Sequence, residues 1–369
     1  MRVLTSGGGQ AAIDDVRRGL ELALSGGPCM TVLPSGPPTW RDALTRVVRP
    51  DRPAEAGVVA ATSGSTGTPV GVVLGADALR FCAEAVNARL GGAGGWVLAL
   101  PLTHVAGLMV LARAVVGDGA VVGTDDGWAD ALERLPSPPR YTALVPTQLR
   151  RLLDEQASML AALDAVLVGG AGVDETLRER AEEAGVRLVE SYGMTETCGG
   201  CVHDGLPLPG VRVNLDGTGR IRLAGPMLAT AYRRAERDEP VSTDGWFTTS
   251  DIGRWHDGRL DVVGRVDDVV TTGGVSVSLS AVDALLAGHP ALADAAAVGV
   301  PDAEWGTRVV AVAVAAAGES PTLESLRRYV AERAEAAYVP RQLVLTDDLA
   351  RPAPGKLNRA HLARLVEGP

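Results

Sequence analysis

Apolar residues follow two rhythms along this chain. In the first two thirds, short runs rich in apolar residues, GVVAATS (57–63), WVLALPL (96–102), YTALVPT (141–147), AVLVGGA (165–171) and RLVESYG (187–193), read as strands buried on both faces. Between them, Ala76 to Leu90, Thr147 to Gln156 and Asp174 to Ala184 carry apolar residues at three- and four-residue spacing with charges between, the pattern of crossover helices. This alternation predicts a large N-terminal layered α/β domain with mainly parallel strands. From about Leu206 the pieces shorten, and RIRLAG (220–225) and GWFTTSDIGRWHDGRLDVVGR (245–265) predict an added antiparallel β region. After Arg265-Val266-Asp267 a new unit starts, with a helix near Ser280 to Ala287, strands AAAVGV (295–300) and RVVAVAVA (308–315), and a helix from Leu323 to about Ala336. The predicted domains are therefore 1–266 and a small α+β domain over 267–369.

A chain of 369 residues is long enough for two domains or one large domain with an appendage. With 46% apolar and 22% charged residues it has the composition of a globular protein. The net charge of -10 argues against a primary role on nucleic acid, because no basic face stands out to neutralise phosphates. The most apolar stretch, Trp96 to Val116, is interrupted by His104 and Arg113 and reads as too polar for a membrane span, and no signal pattern opens the chain. A soluble, cytoplasmic protein is expected.

Four cysteines, Cys29, Cys82, Cys198 and Cys201, are too few and scattered for a disulfide framework. Cys198-Gly-Gly-Cys201 with His203 nearby suggests a zinc or redox site, but the second ligand pair of a structural zinc is missing. Of the 35 basic residues, 34 are arginine and the only lysine is Lys356. A compact ammonium kept in a chain of guanidiniums points to a task for which the planar fork is unsuited.

Four segments carry candidate chemistry. TSGSTGTPVG (62–71) follows a predicted strand, and its glycines and hydroxyls can surround a phosphate chain, although the ending of a Walker loop is absent. As a bare Ser/Thr/Gly stretch it is equally a flexible turn. ESYGMTET (190–197) ends another strand; Thr195 could donate to a phosphate, Glu196 could ligate Mg²⁺ and Tyr192 could lie on a base, while the plainer reading is a capped polar turn. In Ser242 to Asp268, Asp251 could accept from ribose hydroxyls with Arg265 adding a donor. RPAPGKLNR (351–359) places Lys356 in a Pro/Gly-rich tail where a lysine is ordinarily solvated.

Taken in this order, with PLTHVAG (101–107), GGA (169–171), TSD (249–251) and GRVDDVVTTGG (264–274), these segments resemble the acyl-adenylate-forming superfamily over nearly the whole chain. The resemblance implies that Ser63, Gly64, Ser65, Thr66 and Gly67 hold ATP phosphates and that Gly170, Ala171, Tyr192 and Gly193 border the adenine. It implies Thr195 on the α-phosphate, Glu196 on Mg²⁺, Asp251 and Arg265 on the ribose, and Lys356 at the adenylation step. Asp267 would be the hinge of a mobile C-terminal domain. His104 and Thr147 would border the acid, and His104, Gly273 and Gly274 the approaching thiol. A carboxylate attacking a polyphosphate meets like charge, so cations must stand where negative charge develops.

Three features resemble the o-succinylbenzoate-CoA ligases of menaquinone biosynthesis in their short actinobacterial form: the early phosphate loop, YTALVPTQLRRLL (141–153) and YGMTETCGGCVHDGLPLPGVRV (192–213). That resemblance implies ATP, Mg²⁺, CoA and a small carboxylic acid as partners, no membrane span, and room for a homodimer. The donor for the acid's second carboxylate stays unassigned among His104, Thr147 and the loop after Glu196. Two positions depart from the superfamily pattern, Val70 where the phosphate loop usually has lysine and Ala281 where glutamate is usual. Two other readings share the motifs. One is adenylation of a different aryl or alkyl acid, or delivery to a carrier-protein thiol. The other, suggested by Val70, is nucleotide binding without catalysis, against which Thr195, Glu196, Asp251 and Lys356 stand together.

Overall fold

The structure, a computed structural model, describes residues 1–35, 38–52, 54, 57–62, 70–135, 138–233, 237–242, 244–273, 275–349, 357 and 359–367. The chain gathers into two compact units, Met1–Asn214 with Arg222–Thr248, and Leu215–Ile221 with Thr249–Pro369. The residue expected as the hinge, Asp267, lies inside the second unit, in the single turn Val266–Asp268 after the strand Arg259–Arg265.

Two sheets build the first unit. One takes the order Arg2–Ser6, Met30–Pro34, Gly57–Thr62, Val70–Gly75, Ala231–Arg233, Asp238–Pro240; its first three strands are parallel and the remainder antiparallel. The other runs Leu206–Pro207, Gly199–His203, Leu188–Met194, Ala165–Gly169, Arg140–Leu144, Gly95–Leu98, Val121–Gly123, and its last five strands are parallel. The expectation of mainly parallel strands thus describes the second sheet and not the first. The reason is local: the strand Val70–Gly75 runs antiparallel to Gly57–Thr62, with Thr62 paired to Val70.

The long apolar stretch from Trp96 divides at Pro101 into the strand Gly95–Leu98 and the helix Val105–Val116. That helix is apolar on nearly every face and is buried continuously from Gly107 to Ala114, so its one charged member, Arg113, is carried inside with it. Helices form at Ala76–Leu90 as expected, at Pro146–Ala161 with a departure from helical angles at Gln156, and at Glu175–Glu183, where Asp174 caps by accepting from the Leu177 amide at 2.9 Å.

In the second unit, Val275–Ser278, Val269–Thr272, Gly306–Ala315 and Leu292–Asp302 form an antiparallel run, with Gln342–Leu345 parallel to Gly306–Ala315. Alternation along Gly306–Ala315 divides the core. Val309, Ala311 and Ala313 face Leu286, Leu326 and Val330, while Val310 and Val312 face Leu349 and Leu362. Each buried valine contributes on the order of 2 kcal/mol. The helix expected to reach Ala336 spans only Leu323–Ala331, since beyond Val330 the positions three and four residues on are Arg333 and Ala334, with no large apolar side chain to hold it down. Among the described residues no helix is long and apolar enough to cross a membrane.

Candidate active site

Four parallel strands of the first unit point their carboxyl ends the same way, with Val97 opposite Thr142, Leu144 opposite Val168 and Gly169 opposite Ser191. Whatever follows their carboxyl ends therefore collects along one edge, the edge at which open α/β sheets bind ligands. Gly170 and Ala171 emerge there exposed, with Gly170 at φ 82, a left-handed conformation that strains a side-chain-bearing residue. Thr147 is exposed on the first turn of Pro146–Ala161. His104 directly precedes Val105–Val116 in extended conformation; the ring has exposed surface, yet desolvation by the protein around it pushes its pKa below the usual histidine value.

Tyr192, Gly193, Thr195 and Glu196 are all half-buried at the end of Leu188–Met194, where the chain tightens into the single turn Thr195–Thr197. That turn is tied on two sides. Thr197, fully buried, receives the Met194 amide on Oγ1 at 2.9 Å, and the same hydroxyl lies 2.7 Å from the Gly199 carbonyl. Glu196 is held from outside: its carbonyl accepts the Ala229 amide at 2.8 Å, and its carboxylate accepts the Tyr232 hydroxyl at 2.9 Å. Tyr232 lies on the strand paired to Val70–Gly75, opposite Val72, so one short segment links the Glu196 turn to that strand. The carboxylate is thus oriented through one of its oxygens. Among the described residues no three His, Cys, Asp or Glu side chains gather to hold a metal, so Mg²⁺ here would lean on Glu196 and on nucleotide phosphates, which suits an ion that keeps few protein ligands.

Behind this edge lies a site that sequence reasoning passed over. Arg113 is 4% exposed, its guanidinium lies 5.1 Å above the Trp96 ring, and Nε has no hydrogen-bond partner among the described residues. Burial lowers its pKa to about 10, so it is still a cation at neutral pH, and no described carboxylate pairs with it. The signal was present in the sequence as the charge interrupting the Trp96 to Val116 run; only the fold shows that it points inward.

Cys82, Cys198 and Cys201 are buried together, Cys198 hydrogen-bonded to Cys82, and burial pushes Cys201 up to about 12. Cys198 and Cys201 are therefore protonated core thiols at neutral pH. His203 is fully buried, and burial, reinforced by the charges of Arg113 and Arg89, lowers its pKa to about 3.

In the second unit, Asp251 and Arg265 face each other across the hairpin Phe247–His256 and Arg259–Arg265, the guanidinium donating at 3.1 Å to a carboxylate that is 7% exposed. Gly273 has φ 56, and a Cβ there would come within 2.9 Å of the Trp305 ring, so that packing requires glycine. Asp267 has its backbone in the turn Val266–Asp268. Lys356, Ser63, Gly64, Ser65, Thr66, Gly67 and Gly274 lie outside the described residues. Arg359, three residues past Lys356, is described and firmly held: it donates to Asp268 at 2.8 Å, to Asp283 at 2.6 Å and to the Ala297 carbonyl at 2.5 Å.

An α/β sheet that presents nucleotide-binding turns at its carboxyl edge, followed by a compact α+β unit with a C-terminal lysine tail, is the layout of a nucleotide-dependent adenylating enzyme. The chain belongs to the AMP-binding enzyme family, which it matches over residues 18–230, and it matches the C-terminal domain of AMP-binding enzymes over 281–356. Among its relatives, a probable 2-succinylbenzoate–CoA ligase of Mycobacterium tuberculosis is 41% identical over 346 residues, 90% of either chain. The 2-succinylbenzoate–CoA ligase of Escherichia coli K12 is 35% identical over 261 residues, 68% of this chain and 57% of that one. The o-succinylbenzoate CoA synthetase of Bacillus subtilis, solved with the acyl-adenylate intermediate OSB-AMP, superposes with a TM-score of 0.77 at 26% identity, covering 95% of this chain and 81% of that one.

Proposed function

We propose that this protein is an AMP-forming acid–thiol ligase that converts 2-succinylbenzoate, ATP and CoA into 2-succinylbenzoyl-CoA, AMP and pyrophosphate. A carboxylate oxygen of the acid attacks the α-phosphorus and pyrophosphate leaves, giving the acyl adenylate. The CoA thiol then adds to the acyl carbonyl, AMP departs, and the thiol proton is released. Gly170, Ala171, Tyr192 and Gly193 border the adenine, Thr195 donates to the α-phosphate, and Asp251 with Arg265 grips the ribose. Ser63 to Gly67 wrap the outer phosphates. When bound, Mg²⁺ neutralises phosphate oxygens, and Glu196, oriented by Tyr232, is its ligand from this chain. Lys356 places its ammonium at the reacting carboxylate and α-phosphate. Asp267 lets the C-terminal domain, 267–369, exchange the lysine for the thiol channel bordered by His104, Gly273 and Gly274.

Arg113 carries the choice of acid. A buried cation left without a carboxylate is costly unless a ligand supplies one, and a benzoate bearing a succinyl chain brings a second carboxylate. The experiment is a panel of aryl and alkyl acids assayed for ATP-dependent pyrophosphate release and, by mass spectrometry, for the CoA thioester. 2-Succinylbenzoate should stand out; turnover of simple aryl acids in preference to it would overturn the assignment while leaving the ligase chemistry intact.

A further inference from the structure

His203 is the most isolated polar side chain in the first unit. It is fully buried, and neither Nδ1 nor Nε2 has a hydrogen-bond partner among the described residues. Leaving a buried polar atom unmet costs about 1–3 kcal/mol, and an imidazole has two such atoms. An apolar residue of similar size would avoid that cost.

Its neighbours share the condition. His203 lies opposite Ser191 in the pairing of Gly199–His203 with Leu188–Met194. Between them, Gly200 has no room for a side chain: a Cβ there would fall 1.8 Å from Ser191 Oγ and 3.2 Å from His203 Nε2. Gly199 packs on the helix Val105–Val116, where its Cβ would meet Met109 Cγ at 3.4 Å, and Arg113 stands one turn further along that helix on the same face. The Arg113 charge acts on His203 through the interior. Trp96 Nε1, beneath the guanidinium, likewise lacks a partner. Donors from three elements are gathered here around a cation, and no described protein acceptor meets them.

We propose that His203 is a specificity-determining residue: with Arg113 it receives the distal carboxylate of the acid substrate, its neutral imidazole donating one hydrogen bond while the guanidinium supplies the charge. This rests on the acid assignment made above and extends it to a residue on a different strand. Arg113 alone would accept any anion of suitable length. A second donor fixed by the Ser191–Gly200–His203 pairing makes the site sensitive to where that carboxylate lies. Gly200 is then required because any side chain would enter the space between Ser191 and the ring.

The test compares kcat/KM for 2-succinylbenzoate with that for 2-butyrylbenzoate, the same ketone without its terminal carboxylate, in the full-length enzyme. For His203→Ala the ratio between the two acids should fall about tenfold to a hundredfold, the range for losing a hydrogen bond to a charged group. His203→Gln, which keeps an N–H donor, should recover most of it. The ¹⁵N resonances of the His203 ring should shift when a non-hydrolysable 2-succinylbenzoyl adenylate analogue binds, and not when the butyryl analogue binds. Arg113→Met serves as reference. If it collapses the ratio while His203→Ala leaves the ratio unchanged, or His203→Ala lowers both acids equally, the role of His203 is overturned and the acid assignment stands. If wild-type enzyme shows no preference for the dicarboxylic acid, both fall together.

Discussion

At the scale of single residues, the Tyr232 hydroxyl holds the Glu196 carboxylate, the proposed Mg²⁺ ligand, in place. A free glutamate rotates through many rotamers; this one is fixed by a 2.9 Å bond to a phenol that is itself mounted on a strand. Tyr232→Phe should weaken Mg²⁺-dependent nucleotide binding about tenfold, the equivalent of about 1.4 kcal/mol. Titration calorimetry with Mg-ATP checks this, and excess Mg²⁺ should restore adenylation; a loss that Mg²⁺ does not restore would assign Tyr232 a different role. His203 makes a second prediction. Its pKa near 3 lies below the value of about 6.5 expected in an unfolded chain. Between those values the unfolded state binds a proton that the folded state refuses, so stability falls as pH drops through that window, by up to about 1.4 kcal/mol per pH unit. Urea unfolding between about pH 5 and 7 should show a flatter acid limb for His203→Gln. An identical slope would mean that the ring is not buried as a neutral base.

Secondary-structure elements set where those residues stand. The parallel strands Arg140–Leu144, Ala165–Gly169 and Leu188–Met194 present their carboxyl ends on one side because their pairing aligns Leu144 with Val168 and Gly169 with Ser191. Three separate motifs of the sequence thereby become one edge. The antiparallel strands Gly57–Thr62 and Val70–Gly75 are the other contributor, and Val70, opposite Thr62, directly follows the proposed phosphate-binding segment in sequence. A cation there would lie beside the outer phosphates. Val70→Lys should raise the rate of pyrophosphate release roughly tenfold, about 1.4 kcal/mol; an unchanged rate would show that one of the many arginines already fills the role. The strands, most of the helices and the GGA and YGMTET turns were legible from periodicity and motif. The strand Val70–Gly75 was not, because its glycine-bounded run VGVVLG adjoins the helix pattern that begins at Ala76 and merges with it.

For the molecule as a whole, two compact units imply a division of labour between half-reactions. Arg359, bonded to Asp268 and Asp283, is fixed to the residue after the proposed hinge. Lys356→Ala should reduce adenylation about a hundredfold or more while leaving thioester formation from supplied acyl adenylate close to normal, as single-turnover assays of each step would measure. Equal loss in both steps would contradict a role confined to the first. By itself the sequence determined the chemistry: motif order, the lone Lys356, the Thr195-Glu196 pair and the apolar runs specify an adenylating enzyme, because covalent chemistry depends on which groups are present and in what local spacing. Only tertiary structure decided the acid site. A charge in an apolar run and a histidine in a cysteine-rich loop carry no mutual signal along the chain. Packing the strand Gly199–His203 on the helix Val105–Val116 removes both Arg113 and His203 from water, with Arg113 Nε and both His203 ring nitrogens left without a partner among the described residues, and the proposed role of the two as receptor for a second carboxylate rests on that burial.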